Sequence, residues 1–295
     1  MLGVGDSTCS EASAASGEPL AGSASEAPFF AAVSWPKARW HPDKIARSEG
    51  LPASLGELER SARGTAQRLQ LRLWQRDGAA ATDRVEVVCA DFARGRSAHL
   101  RDVPAAAAAG AIGEFLAGGA PGEPLRAPLV LVCTDGRHDR CCGKLGRSLL
   151  GALRGAVDVA EASHLGGHRL APNCLALPSG RLYGRVTEAH AERLLDALRH
   201  DRVYLPCYRG RSGLSELEQV AEAAALAHAD GEVYELGAAE LAGDSARVPV
   251  RARAGAFAVR CARHTYTGIG SCGDAEPEQR SRWVAISVQN DGASL

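Results

Sequence analysis

Four residues near the middle of the chain have the types and spacing of a metal site. Cys133 and Cys142 lie in one segment with eight residues between them, and His164 and His168 lie in another with three between them, Ser163-His164-Leu165-Gly166-Gly167-His168. Gly166 and Gly167 let the second segment bend tightly enough to turn both imidazoles toward one point. Two thiolates and two neutral imidazoles suit zinc, iron or an iron–sulfur cluster. They suit magnesium and calcium poorly, because those ions prefer oxygen. The donor types narrow the metal without choosing it.

The surrounding elements read as an α/β fold. Leu129-Val130-Leu131-Val132 is a continuous apolar run of the kind that fills a strand buried on both faces, and it leads directly into Cys133. Leu145, Leu149, Leu150 and Leu153 then recur at helical spacing over 143–154. Residues 133–142 are therefore predicted as a strand-to-helix loop, with Cys142 beside the positive end of the helix, where thiolate is favoured. A strand is predicted at 157–160 and a hairpin at 174–186 around Pro178-Ser179-Gly180. Thr187 opens a helix that runs to Leu198.

Strand, helix, strand, strand, strand, helix is the order of a thioredoxin-like core, which places such a domain over 125–205. Residues 29–120 repeat much of that order. They begin with a strand at Phe29–Val33 and a helix over 54–68 capped by Ser54 with Glu57. Strands follow at 69–74 and 85–89, then a helix at 104–116, so a related, degenerate unit is predicted there. Gly118, Gly119, Pro121, Gly122 and Pro124 mark a boundary between the two. Residues 206–295 read as a C-terminal extension with a helix over 215–229 and short strands at 233–236, 248–250, 257–260 and 283–288. Residues 1–28, rich in Ser, Ala, Gly and Glu, read as a disordered tail.

Composition removes several function classes. Lys plus Arg number 34 against 35 Asp plus Glu, so the net charge of -1 supplies no general attraction to nucleic acid or an anionic membrane. Nine cysteines in 295 residues, two of them adjacent at 141 and 142, do not make a disulfide scaffold and fit reduced thiols or metal ligands better. No apolar stretch approaches membrane-spanning length, and the first residues lack the basic and apolar segments of a secretion signal. A soluble, cytoplasmic protein without nucleic-acid or membrane partners is the expectation.

The run Leu131-Val132-Cys133-Thr134-Asp135-Gly136-Arg137-His138-Asp139-Arg140-Cys141-Cys142-Gly143 resembles the sucrase/ferredoxin-like family, as do Ser163 to Arg169, Asn173 to Pro178 and Leu182 to Val186. Arg209-Gly210-Arg211-Ser212 and Ser271-Cys272-Gly273 are similar to its looser motifs. The resemblance implies a thioredoxin-like ferredoxin whose [2Fe-2S] cluster is held by Cys133, Cys142, His164 and His168. It implies electron transfer with a redox partner protein or redox sensing, and a carrier more than an enzyme. A zinc-stabilised binding module and a thiol–disulfide oxidoreductase using Cys141 or Cys142 are the alternatives. Two thiolates and two neutral imidazoles would leave the oxidised cluster uncharged, so its potential is expected above that of an all-cysteine cluster. No carboxylate pair stands out for glycoside hydrolysis.

Several residues carry weaker expectations. Cys89, Cys141 and Cys174 read as packing thiols, and Cys207 has no evident role. Cys261, His264 and Cys272 make an incomplete ligand set that reads as structural. Arg169 is a candidate to support His168, and Arg209 and Arg211 are weak phosphate candidates.

Overall fold

A computed structural model describes residues 8–42, 44–62, 68–76, 81–229, 233–274 and 276–291. Helix α1 (Cys9–Ala15) precedes a first unit made of β1 (Phe29–Ser34), α2 (Ala53–Ala62), β2 (Leu69–Gln75), β3 (Arg84–Asp91), β4 (Arg96–Pro104) and α3 (Ala108–Leu116). A second unit follows with β5 (Leu129–Cys133), α4 (Arg140–Leu153), β6 (Asp158–Ala162), β7 (Cys174–Leu177), β8 (Arg181–Tyr183) and α5 (Glu188–Arg199). The remainder comprises β9 (Tyr208–Arg211), α6 (Glu216–Ala229), β10 (Val233–Leu236), β11 (Glu240–Ala242), β12 (Ser245–Ala252), β13 (Gly255–Gly268) and β14 (Glu278–Asn290).

The two units have the same pairing pattern. In the first, β1 is parallel to β2 and antiparallel to β3, which carries β4; in the second, β5 is parallel to β6 and antiparallel to β7, which carries β8. This is the thioredoxin-like order, present twice. The units join edge to edge where β2 meets β6 antiparallel, Trp74 opposite Ala162, and β9 extends the far edge, giving one nine-stranded sheet in the order β4-β3-β1-β2-β6-β5-β7-β8-β9. The Gly- and Pro-rich segment at 118–124 separates the units in sequence, while the hydrogen-bonded sheet continues from one to the other.

Burial explains why the central strands are apolar without alternation. Phe29, Ala31 and Val33 pack with α2 and α3 in one core, and Val130 and Val132 pack with α4 and α5 in another. The opposite faces meet each other: Phe30, Ala32, Trp74, Val88 and Ala90 share a third core with Leu129, Leu131 and Cys133. The sheet must curl for these faces to touch. Each thioredoxin-like unit thus covers the helix-free face of the other, at about 2 kcal/mol per large apolar side chain buried.

Residues 8–28 depart from the expected disordered tail. Thr8 and Glu11 form a capping box on α1, and Cys9, Ser10 and Ser13 are buried against the second unit, because polar side chains there find partners across the chain. Residues 1–7 lie outside the described residues. Helix α2 begins at Ala53, so Ser54 sits inside its first turn instead of capping it, and the expected continuation over 63–67 also lies outside the described residues. β4 forms where no strand is predicted. The C-terminal strands are much longer than expected: β12, β13 and β14 form a second sheet with β10 and β11, packed by α6 through Leu217, Val220, Ala221 and Ala225 on Val248, Val250 and Val259. Among the described residues no helix is long and apolar enough to cross a membrane.

Candidate metal centre

The ligand-bearing loops come together at the end of the second unit's strands. β5 delivers Cys133 with its backbone pinned, Cys133 N–H donating to Asn173 O at 3.0 Å and Thr134 N–H to Ala162 O at 3.2 Å. The helix starts three residues earlier than its leucine pattern indicates. Asp139 is the N-cap and accepts from Cys141 N–H at 2.8 Å, so Cys141 and Cys142 both lie in the first turn of α4. Gly146 permits this approach, since a Cβ there would stand 2.0 Å from the Cys133 carbonyl oxygen.

The histidine loop is fixed from both sides. Ser163 N–H donates to Leu73 O at 2.8 Å and its hydroxyl accepts from Leu73 N–H at 3.0 Å, tying the loop to the first unit. Gly166 and Gly167 take positive φ of 93° and 70°. Arg209, buried beneath the loop, donates to Gly166 O and to Asn173 Oδ1, each at 2.9 Å, and to Ser23 Oγ at 2.9 Å. Burial, with Arg282 and Arg169 adding like charge, pulls the Arg209 pKa down to about 9. This guanidinium is committed to protein acceptors and is no phosphate site. Arg209→Ala should leave those buried acceptors unsatisfied and cost about 3 kcal/mol or more, read as a lowered denaturant midpoint at unchanged slope.

The donors form a chain of two overlapping groups. Cys133, Cys142 and His164 place one donor atom each within 4.8 Å of one another, and His138, His164 and His168 do the same. His164 belongs to both groups, and its Nδ1 lies 4.0 Å from Cys142 Sγ. His168 therefore reaches His164 but stands outside the thiol group. Its Nε2 is 2.6 Å from Gly270 O, and a ring nitrogen facing a carbonyl must be the one that donates. The other ring nitrogen, Nδ1, is then an unprotonated acceptor in the neutral ring, and it is buried with no hydrogen-bond partner among the described residues.

Electrostatics favour the ligand-competent forms of Cys133 and His164, and make Cys133, not the expected Cys142, the favoured thiolate. The Cys133 thiol is held well below its ordinary value, mainly because Cys142 S–H donates to it, with His164 adding to the effect against burial. The Cys133 thiolate in turn pushes Cys142 up. Burial pushes His164 down, which keeps its ring neutral. Asp135 is pushed up by burial and by the adjacent Cys133 charge.

Residues not singled out as ligands in the sequence complete the surroundings. His138 stacks on His164 with centroids 3.7 Å apart, while its Nδ1 lies 2.9 Å from Pro42 O in the first unit. Arg137 donates to Lys37 O at 2.7 Å and Ala38 O at 3.0 Å, so the first unit's β1–α2 loop grips the ligand loop. The run of charge at 137–140 was the available signal. Arg169, next to His168, pairs with Glu18 at 2.7 Å, a carboxylate from the supposed tail. Cys141 points to Cys9 and Cys272, away from the Cys133 group. Cys261 and His264 enter none of the metal-capable groups among the described residues; Cys261 packs under α6. Cys207 is buried with its Sγ 3.8 Å from Arg185 O.

Known proteins place the chain. A protein similar over part of its length is the altered inheritance of mitochondria protein 32 of Eremothecium gossypii, 31% identical over 140 residues, which are 41% of this chain and 42% of that protein. The chain thus matches less than half the length of that curated relative. Among solved structures, a variant of the thioredoxin-like [2Fe-2S] ferredoxin from Aquifex aeolicus aligns over 28% of this chain and 99% of its own, at 14% identity and a TM-score of 0.26. A family model, sucrase/ferredoxin-like, matches residues 20–210, more than half of the chain and the whole of the Cys133 and His164 loops. The chain belongs to the sucrase/ferredoxin-like family.

Proposed function

We propose that this protein transfers electrons, or senses redox state, through one [2Fe-2S] cluster held by Cys133, Cys142, His164 and His168. The observation that carries the reading is His168: its Nδ1 is buried without a hydrogen-bond partner among the described residues, and the residue groups with His164 but not with the two thiols. A single tetrahedral zinc would want all four donors about 3.5 Å apart. A string with thiols at one end and imidazoles at the other suits two metal ions better. When bound, such a cluster would accept and return one electron.

The chain's own residues set the conditions for that exchange. Cys133 and Cys142 are buried and His164 and His168 half-buried, so the imidazole side is the one nearer solvent. Gly270 O fixes the His168 ring through Nε2, and the stacked His138 fixes the plane of His164. Arg137, Arg140, Lys144 and Arg147 line an adjacent cavity, charges that would steer an acidic redox protein toward the ligand loop.

Full-length protein purified without oxygen should be brown, with iron and acid-labile sulfide in equal amounts and visible absorption bleached by dithionite; His168→Ala should remove most of that colour. Colourless protein with zinc that disappears in Cys133→Ala would overturn the reading in favour of a zinc module. Metal-free protein with disulfide reductase activity would overturn it in favour of a thiol enzyme.

A further inference from the structure

The cluster reading leaves unused a second group of sulfur ligands on the other side of α4. Cys9 comes from the first turn of α1, Cys141 from the first turn of α4 and Cys272 from the loop between β13 and β14. Asp139 is the α4 N-cap. One donor atom from each of the four lies within 4.8 Å of all the others. Cys141 Sγ is 3.3 Å from Cys9 Sγ and 3.2 Å from Cys272 Sγ, and Cys9 Sγ is 3.7 Å from Asp139 Oδ1. The two sulfur–sulfur contacts are closer than the roughly 3.5–4.0 Å of ordinary nonbonded packing.

Apolar burial is a weak reason for such an arrangement. The cluster around Cys9 and Cys141 contains Ala171 as its only other buried member, with Leu145, Ile269 and Cys272 at its edge. The donors are also oriented by hydrogen bonds of the kind that hold metal ligands. Asp139 Oδ1 accepts from Cys141 N–H at 2.8 Å and Oδ2 accepts from Cys272 N–H at 3.0 Å, which fixes the carboxylate and leaves it lone pairs to spare. Cys9 N–H donates to Cys272 Sγ at 3.4 Å.

We propose that Cys9, Cys141, Cys272 and Asp139 bind one structural Zn²⁺, separate from the Cys133 and His164 site. Three thiolates and one carboxylate form a closed tetrahedral set of the softness zinc prefers, with the same formal charge as a four-cysteine zinc site. Binding releases the three thiol protons and forms three zinc–sulfur bonds and one zinc–oxygen bond; nothing is oxidised or reduced. Zinc–sulfur bonds of about 2.3 Å set sulfurs about 3.8 Å apart, so the thiols spread by about half an ångström on loading. Consecutive helical residues point about 100° apart, and so α4 offers Cys141 to this site and Cys142 to the other.

The ion would clamp three segments far apart in sequence. It ties α1 and the β13–β14 loop to the start of α4, and that loop supplies the Gly270 carbonyl that orients His168. The proposal stands whether or not the Cys133 site holds a cluster.

The test is the metal content of the full chain purified without oxygen, beside Cys9→Ser, Cys272→Ser and Cys133→Ala. One zinc per chain is expected in the native protein and in Cys133→Ala, with at least a tenfold fall in zinc affinity in Cys9→Ser and Cys272→Ser. After cobalt replacement, thiolate-to-cobalt charge transfer should weaken by about a third in Cys272→Ser, whose half-buried loop position tolerates the change. Three outcomes would overturn the proposal: an intact mass lower by the two hydrogens of a disulfide joining two of the three thiols, zinc-free protein with all three alkylatable, or zinc lost in Cys133→Ala but kept in Cys272→Ser.

Discussion

Gly146→Ala should strip the metal centre while leaving the fold recognisable. The new Cβ would meet the Cys133 carbonyl oxygen at 2.0 Å, and even the 3.0 Å limit below which real contacts essentially never fall requires α4 to retreat by about 1 Å. The obstacle is backbone on both sides, so no side chain can swing away. Overpacking of this kind costs about 1–3 kcal/mol, and the contact here belongs at the upper end. Because Cys142 rides on the first turn of the same helix, the shift separates it from Cys133, whereas bound sites tolerate only about 0.5 Å of misplacement. With the proposed cluster as the occupant, the expected readout is a loss of at least half the iron and visible absorption, with far-ultraviolet dichroism close to native. Gly151→Ala is the control: it lies on the exposed face of α4 with nothing within 4 Å of its Cβ, and it should stabilise by about 0.5–1 kcal/mol with full iron content. Native iron content in Gly146→Ala would show that the helix does not set the spacing of the two thiols.

The contrast between those two glycines shows where the sequence is readable. Leu129 to Val132, the hairpin around Pro178-Ser179-Gly180 and the leucines of α4 betray their elements, because burial on a strand face or helix stripe leaves a local pattern. The Cys133 and His164 segments could be picked out for the same reason: metal-ligand spacing is local. What covers Leu129 and Leu131 is not local. A continuous apolar run says that both faces are buried, but not that the second face meets Phe30 and Ala32 of another unit. The full length of β13 is not legible, because Arg263, His264 and Thr265 occupy three successive exposed positions that break the alternation. The contact of Cys9 with Cys141 spans 132 positions, and no spacing rule reaches that far. A tail rich in Ser, Ala and Gly reads as disorder for a sound compositional reason, yet a few polar side chains with buried partners suffice to order it.

Glu18 is the residue on which that ordering depends most. Its side chain is 1% exposed and accepts from Ser13 Oγ at 2.7 Å, Arg169 Nε at 2.7 Å and Tyr266 Oη at 2.9 Å, joining the N-terminal segment, the histidine loop and β13. Burial alone would raise its pKa, but the hydrogen bonds and the Arg169 charge outweigh burial and hold it below the ordinary 4.5. A carboxyl depressed in the folded state contributes stability that is fully present above its unfolded pKa and is lost as pH falls through the lower folded value. Acidification below about 4.5 should therefore loosen the docking of residues 8–28 before the sheet melts, seen as faster amide exchange in α1 than in β1 and β5. Glu18→Ala makes the loss permanent at neutral pH. It strands Arg169, whose side chain is only 15% exposed, and breaking such a pair from one side costs about 3 kcal/mol. Ser13 and Tyr266 donate to different carboxylate oxygens, so Glu18→Gln keeps an oxygen acceptor for only one of them, and it should cost less than Glu18→Ala. Because Arg169 follows His168 directly, both variants should also release the iron of the proposed cluster to a chelator faster than native protein, Glu18→Ala more than Glu18→Gln. Iron release at the native rate from a Glu18→Ala chain of lowered stability would mean that Glu18 supports the fold and not the ligand loop.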